Sequence, residues 1–319
     1  MTGNRESVRV AVASRSFSRH PVLRAELSAQ YPNIAFNDEG RTLAGESLIA
    51  FLKGHERAII GLERLDAAVF RALPDLKVVS KYGVGLDMID LEAMARHCVK
   101  LGWTGGVNRR AVAELVIAFA VMFLRHVPTA SAEMRDGVWR ARVCRQLSER
   151  TVGIVGCGHI GQDLAALLRA FGCRVLAHDI RDFPEFYARH RIEPVGLDDL
   201  LRRADIVTLH LPLDATTRNL MSADRLALLR PDAILINAAR GGIVDEGMLK
   251  TMLKSGRLTA AAFDVFATEP PEDMELLRLP NFLATPHIGG AAEEAILAMG
   301  RAAIAGLDKA GDPRGVANP

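Results

Sequence analysis

Arg240, Glu269 and His287 stand far apart in the chain, yet each follows an apolar run that reads as a strand. Arg240 closes "AILINAAR", Glu269 comes just after "TAAAFDVF", and His287 sits in "ATPHIGG". In an open parallel α/β sheet, ligands bind outside the carboxyl ends of the strands. Adjacent loops would therefore bring a guanidinium, a carboxylate and an imidazole into one crevice. Together such groups can bind an anion and move a proton. Any one of them alone reads more readily as a salt bridge or a surface charge; it is their joint placement that suggests a site.

A second constellation lies upstream. "VGIVGCGHIG" gives Gly156, Gly158 and Gly161 in GxGxxG spacing, directly after an apolar run and at the start of a helical pattern. The first glycine allows a tight turn, the second lets a pyrophosphate approach the backbone, and the third brings helix and strand together. The helix N-terminus adds N–H groups and positive dipole. Asp179 closes the next apolar run, "CRVLAHD", where a carboxylate accepts hydrogen bonds from the adenosine ribose hydroxyls. The same carboxylate repels a 2′-phosphate, which favours NAD over NADP, although Arg181 stands close by.

The elements that position these groups emerge from the hydrophobic rhythm. "VRVAVAS", "RAIIGL", "LKVVSKY" and "VKLGW" alternate with helical patterns such as "HPVLRAELSAQY" and "LEAMARH". From Thr151 the alternation restarts with nearly all-apolar runs and the helical patterns "LDDLLRRA", "SADRLALLR" and "DEGMLKTMLKSG". Runs of that kind are strands covered on both faces by helices, so the fold class is parallel α/β. The glycine-rich break "TGGVN" at 104–108 and a long helical stretch from Arg109 to Arg125 suggest a boundary between two domains. The last helical pattern, from Ala291, could return to the first of them.

Composition narrows the partners. The 319 residues carry 40 Lys plus Arg against 38 Asp plus Glu, so no general basic field exists to hold nucleic acid or an anionic membrane. The longest apolar run, residues 115–124, is far shorter than a bilayer span of about 20 residues. The short apolar run ending at Ala13 is too brief for a signal-peptide core, and the four cysteines show no metal-ligand spacing. The expectation is a cytoplasmic protein with reduced thiols, no metal, no membrane and no nucleic acid.

The motifs "VGIVGCGHIG", "INAARGGIVDEG", "FDVFATEPP", "TPHIGG" and "KYGVGLDMIDLEAM" together resemble the NAD-dependent D-2-hydroxyacid dehydrogenases, most nearly the D-3-phosphoglycerate dehydrogenase branch. The resemblance runs over nearly the whole chain. It implies two Rossmann-like or flavodoxin-like parallel-sheet domains with the active site in the cleft between them. Residues 1–104 plus 292–319 would form the substrate-binding domain and 105–291 the NAD-binding domain. It implies His287 as general acid/base, Glu269 as its carboxylate partner, and Arg240 as the group that binds the substrate carboxylate. Lys81, Gly83, Val84 and Gly85 would bind the rest of a small anionic substrate. Around the cofactor it implies His159 and Ile160 at the pyrophosphate turn, Asp264 on the nicotinamide carboxamide, and Leu211, Pro212, Ala238, Gly289 and Gly290. A homodimer through the NAD-binding domains would give the helix 109–125 and its basic connector a role.

Hydride transfer to a 2-keto acid leaves negative charge on oxygen, which is why such a site needs a proton donor and a fixed cation. Departures bear on the substrate. Where the branch has a phosphate-binding arginine at the end of the strand in "RAIIGL", this chain has Ile60 and Gly61; Lys81 stands where another arginine helps, and Arg64 lies near the first. The phosphate would then fall to Lys81, with Arg64, or Arg140 and Arg142 of a second subunit, assisting. A chain ending at Pro319 is expected to lack the C-terminal regulatory domain of longer relatives. The substrate expectation is 3-phosphoglycerate with 3-phosphohydroxypyruvate, or else hydroxypyruvate or glyoxylate. From another class, an NAD(H)-responsive corepressor-like binding protein would keep the same Arg, Glu and His.

Overall fold

The computed structural model describes residues 5–316. The chain divides into two compact units, Met1–Asn108 with Glu293–Pro319, and Arg109–Ala292.

The first unit holds five strands: β1 (Arg9–Val12), β2 (Asn33–Phe36), β3 (Arg57–Ile60), β4 (Val78–Lys81) and β5 (Lys100–Gly102). All pair in parallel in the order β2-β1-β3-β4-β5, a doubly wound arrangement. β3 (RAII) and β4 (VVSK) are almost wholly buried inside the sheet, and in β4 the burial extends to Ser80 and Lys81. β2 is an edge strand with no buried residue, and its NIAF sequence shows no alternation by which it could be read. Ile60 ends β3 fully buried, so its side chain belongs to the core of this unit.

The second unit holds seven: β6 (Thr151–Val155), β7 (Arg174–His178), β8 (Glu193–Pro194), β9 (Ile206–Leu209), β10 (Ile234–Asn237), β11 (Ala260–Phe263) and β12 (Phe282–Ala284). They lie all parallel in the order β12-β11-β10-β9-β6-β7-β8. Strand order reverses between β6 and β9, and that reversal opens the crevice where dinucleotides bind in such sheets. β9, β10 and β11 are buried at every residue.

The helix His159–Ala170 starts four residues after β6 and buries Gly161, Leu164, Ala165 and Leu168, one stripe at helical spacing. Against it packs the helix Arg109–Leu124, which buries Val112, Ala113, Val116, Phe119, Ala120, Phe123 and Leu124 in the same core. The apolar face of that helix is thus consumed within its own unit. The segment after it is the exposed one. Among the described residues no single helix is long and apolar enough to cross a membrane; the pair Arg109–Leu124 and Val127–Arg135 reaches that length only together, with a 62° bend between them. "SADRLALLR" forms a helix only over Ala223–Leu226, one turn instead of the two its pattern suggests, because the chain turns at Ala227–Leu229 to enter β10.

Candidate active site

The glycine turn after β6 is shaped by close backbone approaches. Gly156 has φ +96°, and a Cβ there would lie 2.4 Å from the carbonyl oxygen of His210, while one on Gly161 would lie 2.2 Å from that of Gly156. No side chain fits at either position. Gly158 differs: the nearest atom to a Cβ there is Nη2 of Arg181 at 3.8 Å. The middle glycine therefore leaves an open cradle at the N-terminus of the helix His159–Ala170, where a pyrophosphate can reach backbone N–H groups.

Asp179, just past β7, ties this turn together. Its Oδ2 accepts from the Cys157 N–H at 2.6 Å, and its Oδ1 accepts from the Arg181 N–H at 2.9 Å. Leu211 reaches the same turn, its Cδ2 lying 2.9 Å from where a Gly156 Cβ would be, and the Pro212 carbonyl accepts from Thr217 Oγ1 at 2.7 Å. Burial, with the Asp179 charge adding to it, pushes the Cys157 thiol up to about 11, so it stays protonated and inert. His210, in the loop out of β9 beside Gly156, carries no sequence signal that singles it out. Its Nε2 is 3.0 Å from Thr208 Oγ1, its Nδ1 has no partner among the described residues, and burial pushes the imidazole down to about 3. A neutral ring with an unpaired nitrogen at the switch point suits a polar ligand such as a dinucleotide.

Beyond β9 come the three neighbouring strand ends. Asn237 closes β10 and organises the next loop, its Nδ2 donating to the Arg240 carbonyl at 2.9 Å and its Oδ1 accepting from the Ala239 N–H at 3.1 Å. Arg240 Nη1 donates to the Ala239 carbonyl at 2.7 Å, and Ala238 is buried at the start of the loop. A Cβ on Gly241 would fall 1.8 Å from the Phe266 carbonyl oxygen. That contact presses the Arg240 loop onto the loop that carries Glu269.

Glu269 and His287 meet directly. Glu269 Oε2 lies 2.9 Å from His287 Nδ1, while Oε1 accepts from the Phe266 N–H at 3.1 Å. Both side chains remain open to solvent, at 40% and 48% of their surface, as residues that handle a ligand must. His287 has φ +54°, in the left-handed region. Its N–H donates to the carbonyls of Asp264 and Thr285 at 2.9 and 3.0 Å.

Asp264 holds that turn from beneath. Only 1% exposed, its carboxylate accepts from Thr285 Oγ1 at 2.5 Å and from the Ile288 and Gly289 N–H groups at 2.8 and 2.7 Å. Three bonds tie Asp264 to the turn that presents His287, and Gly289 with Gly290 completes that turn. Sequence reasoning also passes over Glu246, whose Oε1 accepts from the Ala267 N–H at 2.8 Å. Burial pushes the Glu246 carboxyl above its usual range, the Ala267 bond opposes this, and the Asp273 charge adds to it. The signal is present in "VDEG", directly after the arginine motif, but nothing in spacing shows that the glutamate turns back to clamp the next loop.

In the first unit, Lys81 is 4% exposed and its ammonium is held by the carbonyls of Gly61 and, at 3.2 Å, Tyr82. It is not a lysine extended towards solvent at a strand end. Glu63 Oε2 accepts from the Gly61 N–H at 2.6 Å, so the two backbone groups of Gly61, the residue just past β3, engage an anion and a cation. Gly83 has φ +120°, Val84 accepts from Trp103 Nε1 at 2.9 Å through its carbonyl, and Gly85 comes next. Arg64 is exposed. Arg142 makes two bonds to Glu133 of its own chain, at 2.5 and 2.6 Å, and Arg140, 63% exposed, a third at 3.3 Å. Among the described residues no cluster of His, Cys, Asp or Glu could hold a metal ion.

The model of the D-isomer specific 2-hydroxyacid dehydrogenase NAD binding domain matches residues 117–289, more than half of the chain and nearly all of the second unit. The chain belongs to this family. NAD is accordingly the cofactor of the second unit. Among curated relatives, D-3-phosphoglycerate dehydrogenase of Mycobacterium bovis is 40% identical over 233 residues, 72% of this chain and 44% of that protein. The rat enzyme of the same name is 36% identical over 81% of this chain and 49% of its own length. The chain thus spans about half the length of these relatives. Among solved structures, the TT0316 protein of Thermus thermophilus superposes with TM-score 0.79 at 33% identity, covering 94% of each chain. The pyruvate reductase of Chlamydomonas reinhardtii gives 0.78 at 27%, covering 95% of this chain and 98% of the other.

Proposed function

We propose that this protein is an NAD-dependent oxidoreductase that interconverts a small D-2-hydroxy acid and its 2-keto acid. The observation that carries the reading is the Glu269–His287 pair, 2.9 Å apart at strand ends of a unit whose glycine turn is built for a dinucleotide. Bound NAD(H) supplies the hydride donor or acceptor. In the reduction, His287 donates a proton from Nε2 to the carbonyl oxygen as the hydride reaches the carbonyl carbon, leaving a neutral ring and a hydroxy acid. Glu269, on Nδ1, fixes the ring's orientation and keeps Nε2 as the exchanging nitrogen. Arg240 binds the planar carboxylate, for which a guanidinium fork is suited. Gly83, Val84 and Gly85 of the first unit are assigned to the same substrate through the resemblance.

Within this class the lysine geometry favours an acid without phosphate. The Lys81 ammonium is engaged by two carbonyls, Glu63 brings a negative charge to the N–H of Gly61, whose carbonyl is one of the two, and no arginine replaces Ile60. A homodimer through the second unit belongs to the same reading, supported by exposed Trp139 and Val143 beyond the buried helix.

The test is NADH consumption with a panel of 2-keto acids including glyoxylate, hydroxypyruvate and 3-phosphohydroxypyruvate. Turnover is expected with the acids that lack phosphate, and His287→Ala should lower it by roughly 100- to 10,000-fold while NADH still binds. NADH binding without turnover on any acid would point to a binding protein instead. A clear advantage for the phosphorylated acid would return Lys81 to phosphate recognition.

A further inference from the structure

We propose that Arg181 binds the pyrophosphate of the dinucleotide and is not a receptor for a 2′-phosphate; the proposal rests on the NAD reading of the second unit. An arginine two residues past the acidic residue that closes the second strand is ambiguous in sequence. It can extend past the carboxylate towards the 2′ position of the ribose, or fold back over the glycine turn.

Here it folds back. Among the described residues, and apart from the chain neighbours of Gly158, the nearest atom to its Cβ position is Arg181 Nη2 at 3.8 Å, and Gly158 is the one glycine of the three whose open side meets no such backbone. A phosphate entering that cradle therefore meets the guanidinium at hydrogen-bonding range after a small side-chain adjustment. Two contacts set the arm's direction. The Arg181 N–H donates to Asp179 Oδ1 at 2.9 Å, which fixes where the side chain leaves the backbone. The guanidinium also lies over the Phe183 ring, its Cζ 5.2 Å from the centroid, a contact that holds the cation in place.

Charge makes the assignment more specific. The N-terminus of the helix His159–Ala170 offers roughly half a positive charge, and a pyrophosphate brings two negative ones. A planar guanidinium beside the helix end can take two phosphate oxygens at once, which a lysine cannot. On the ribose side the balance is opposite. The Asp179 carboxylate lies 4.0 Å from Arg181 Nε, so a 2′-phosphate there would face a negative charge before it met the cation. Arg181 and Asp179 thus divide the cofactor between them, the arginine on the phosphates and the aspartate on the ribose.

The experiment is a ligand series measured by calorimetry on the full chain: adenosine, ADP, NADH and NADPH, against wild type, Arg181→Met and Arg181→Lys. Methionine keeps the hydrocarbon over Phe183 and removes the charge. It is expected to weaken ADP and NADH alike by roughly tenfold, leave adenosine unchanged, and leave the NADH-over-NADPH ratio unchanged, with lysine recovering part of the loss. Weakening of NADPH alone would make Arg181 a 2′-phosphate receptor and overturn the proposal. Equal weakening of adenosine would make its role structural, and unchanged or tighter NADH binding would mean that the arm only covers the turn; each overturns it as well. Wild type that binds neither ADP nor NADH would remove the NAD reading itself, an outcome distinct from all of these.

Discussion

His287 adopts a backbone conformation that costs a non-glycine residue on the order of 1 kcal/mol, and its neighbours hold it there. Asp264 contributes a backbone carbonyl to the His287 N–H and a carboxylate to the N–H groups of Ile288 and Gly289. Glu269 is held in turn: its own Oε1 caps Phe266, and Glu246 caps Ala267, so two carboxylates fix successive N–H groups of one loop. Glu246 touches no reacting atom in this scheme and acts by positioning Glu269. Glu246→Ala should therefore lower kcat for keto-acid reduction by roughly tenfold, because a loosened loop lets the carboxylate leave Nδ1, while the affinity for NADH stays the same. Glu246→Gln should remain near wild type, since an amide oxygen still accepts from Ala267. Steady-state kinetics beside thermal melts decide it; equal kcat in the alanine variant, or equal losses in both variants, would show that the bond serves only the fold. Residue types reveal where imidazole, carboxylate and guanidinium stand. They do not reveal that Asp264 and Glu246 face inward to hold loops, since a carboxylate that caps backbone N–H groups looks the same in sequence as one that awaits a ligand.

At the scale of elements, legibility depends on burial. β9, β10 and β11 are covered on both faces, and burial at every position leaves an apolar run that admits few other readings. β2 and β8 lie at sheet edges with no buried residue, and their four- and two-residue lengths carry no period. The helices Glu46–Leu52, Ala67–Ala72 and Pro184–His190 are not singled out by their sequences, although Leu91–Arg96 and Leu197–Arg203, of the same lengths, are read from "LEAMARH" and "LDDLLRRA". The helix Arg109–Leu124 is plainly apolar in sequence, but its apolar face serves the core of its own unit. For the proposed dimer the irregular segment C-terminal to Arg135, anchored by the Glu133–Arg142 pair, is the candidate contact, since Trp139 is 85% and Val143 99% exposed there. Large apolar side chains this exposed and this close in sequence mark an association surface. Trp139→Ser with Val143→Ser should shift sedimentation from dimer towards monomer without lowering the melting temperature of the second unit's core. A wild-type protein that sediments as a monomer would dispose of the dimer.

On the scale of the whole molecule, the chain leaves the first unit at Asn108 and returns to it at Glu293, so that unit is closed by a segment distant in sequence from its start. Closing contacts are close and polar. Ser80 Oγ donates to the Ala303 carbonyl at 2.6 Å, and a Cβ on Gly102 would fall 2.3 Å from the Gly306 carbonyl oxygen, which brings the helix Glu293–Gly306 tightly onto β4 and β5. At the end of that helix Asp308 is the hub. Its Oδ1 accepts from Tyr31 Oη at 2.7 Å and from Arg57 Nη1 at 2.6 Å, Arg5 pairs with its Oδ2, and Arg57 also donates to the Leu307 carbonyl at 2.7 Å. That the last helical pattern could return to the first domain is readable; that an aspartate beyond it would meet residues 31 and 57 is not, because nothing local joins them. Burial pulls the Asp308 carboxyl upward, but the bonds from Tyr31, Arg57 and Arg5 outweigh it and hold the group below the usual carboxylate range. Tyr31, raised to about 12 by burial and then by the Asp308 bond, stays a donor throughout the ordinary pH range. For an acid whose folded-state value is lowered, the stabilisation is complete above the unfolded-state value of about 4 and is lost as pH falls through the folded-state value. Asp308→Asn is therefore expected to cost about 1–2 kcal/mol at neutral pH, reduced from the sum of its bonds because the side chain is a third exposed. Urea unfolding of both proteins from neutral pH down to about pH 3 checks the sign. The gap should narrow as wild-type Asp308 takes up its proton; a gap that stays constant over that range would mean that the carboxylate's charge contributes nothing to holding the returning segment.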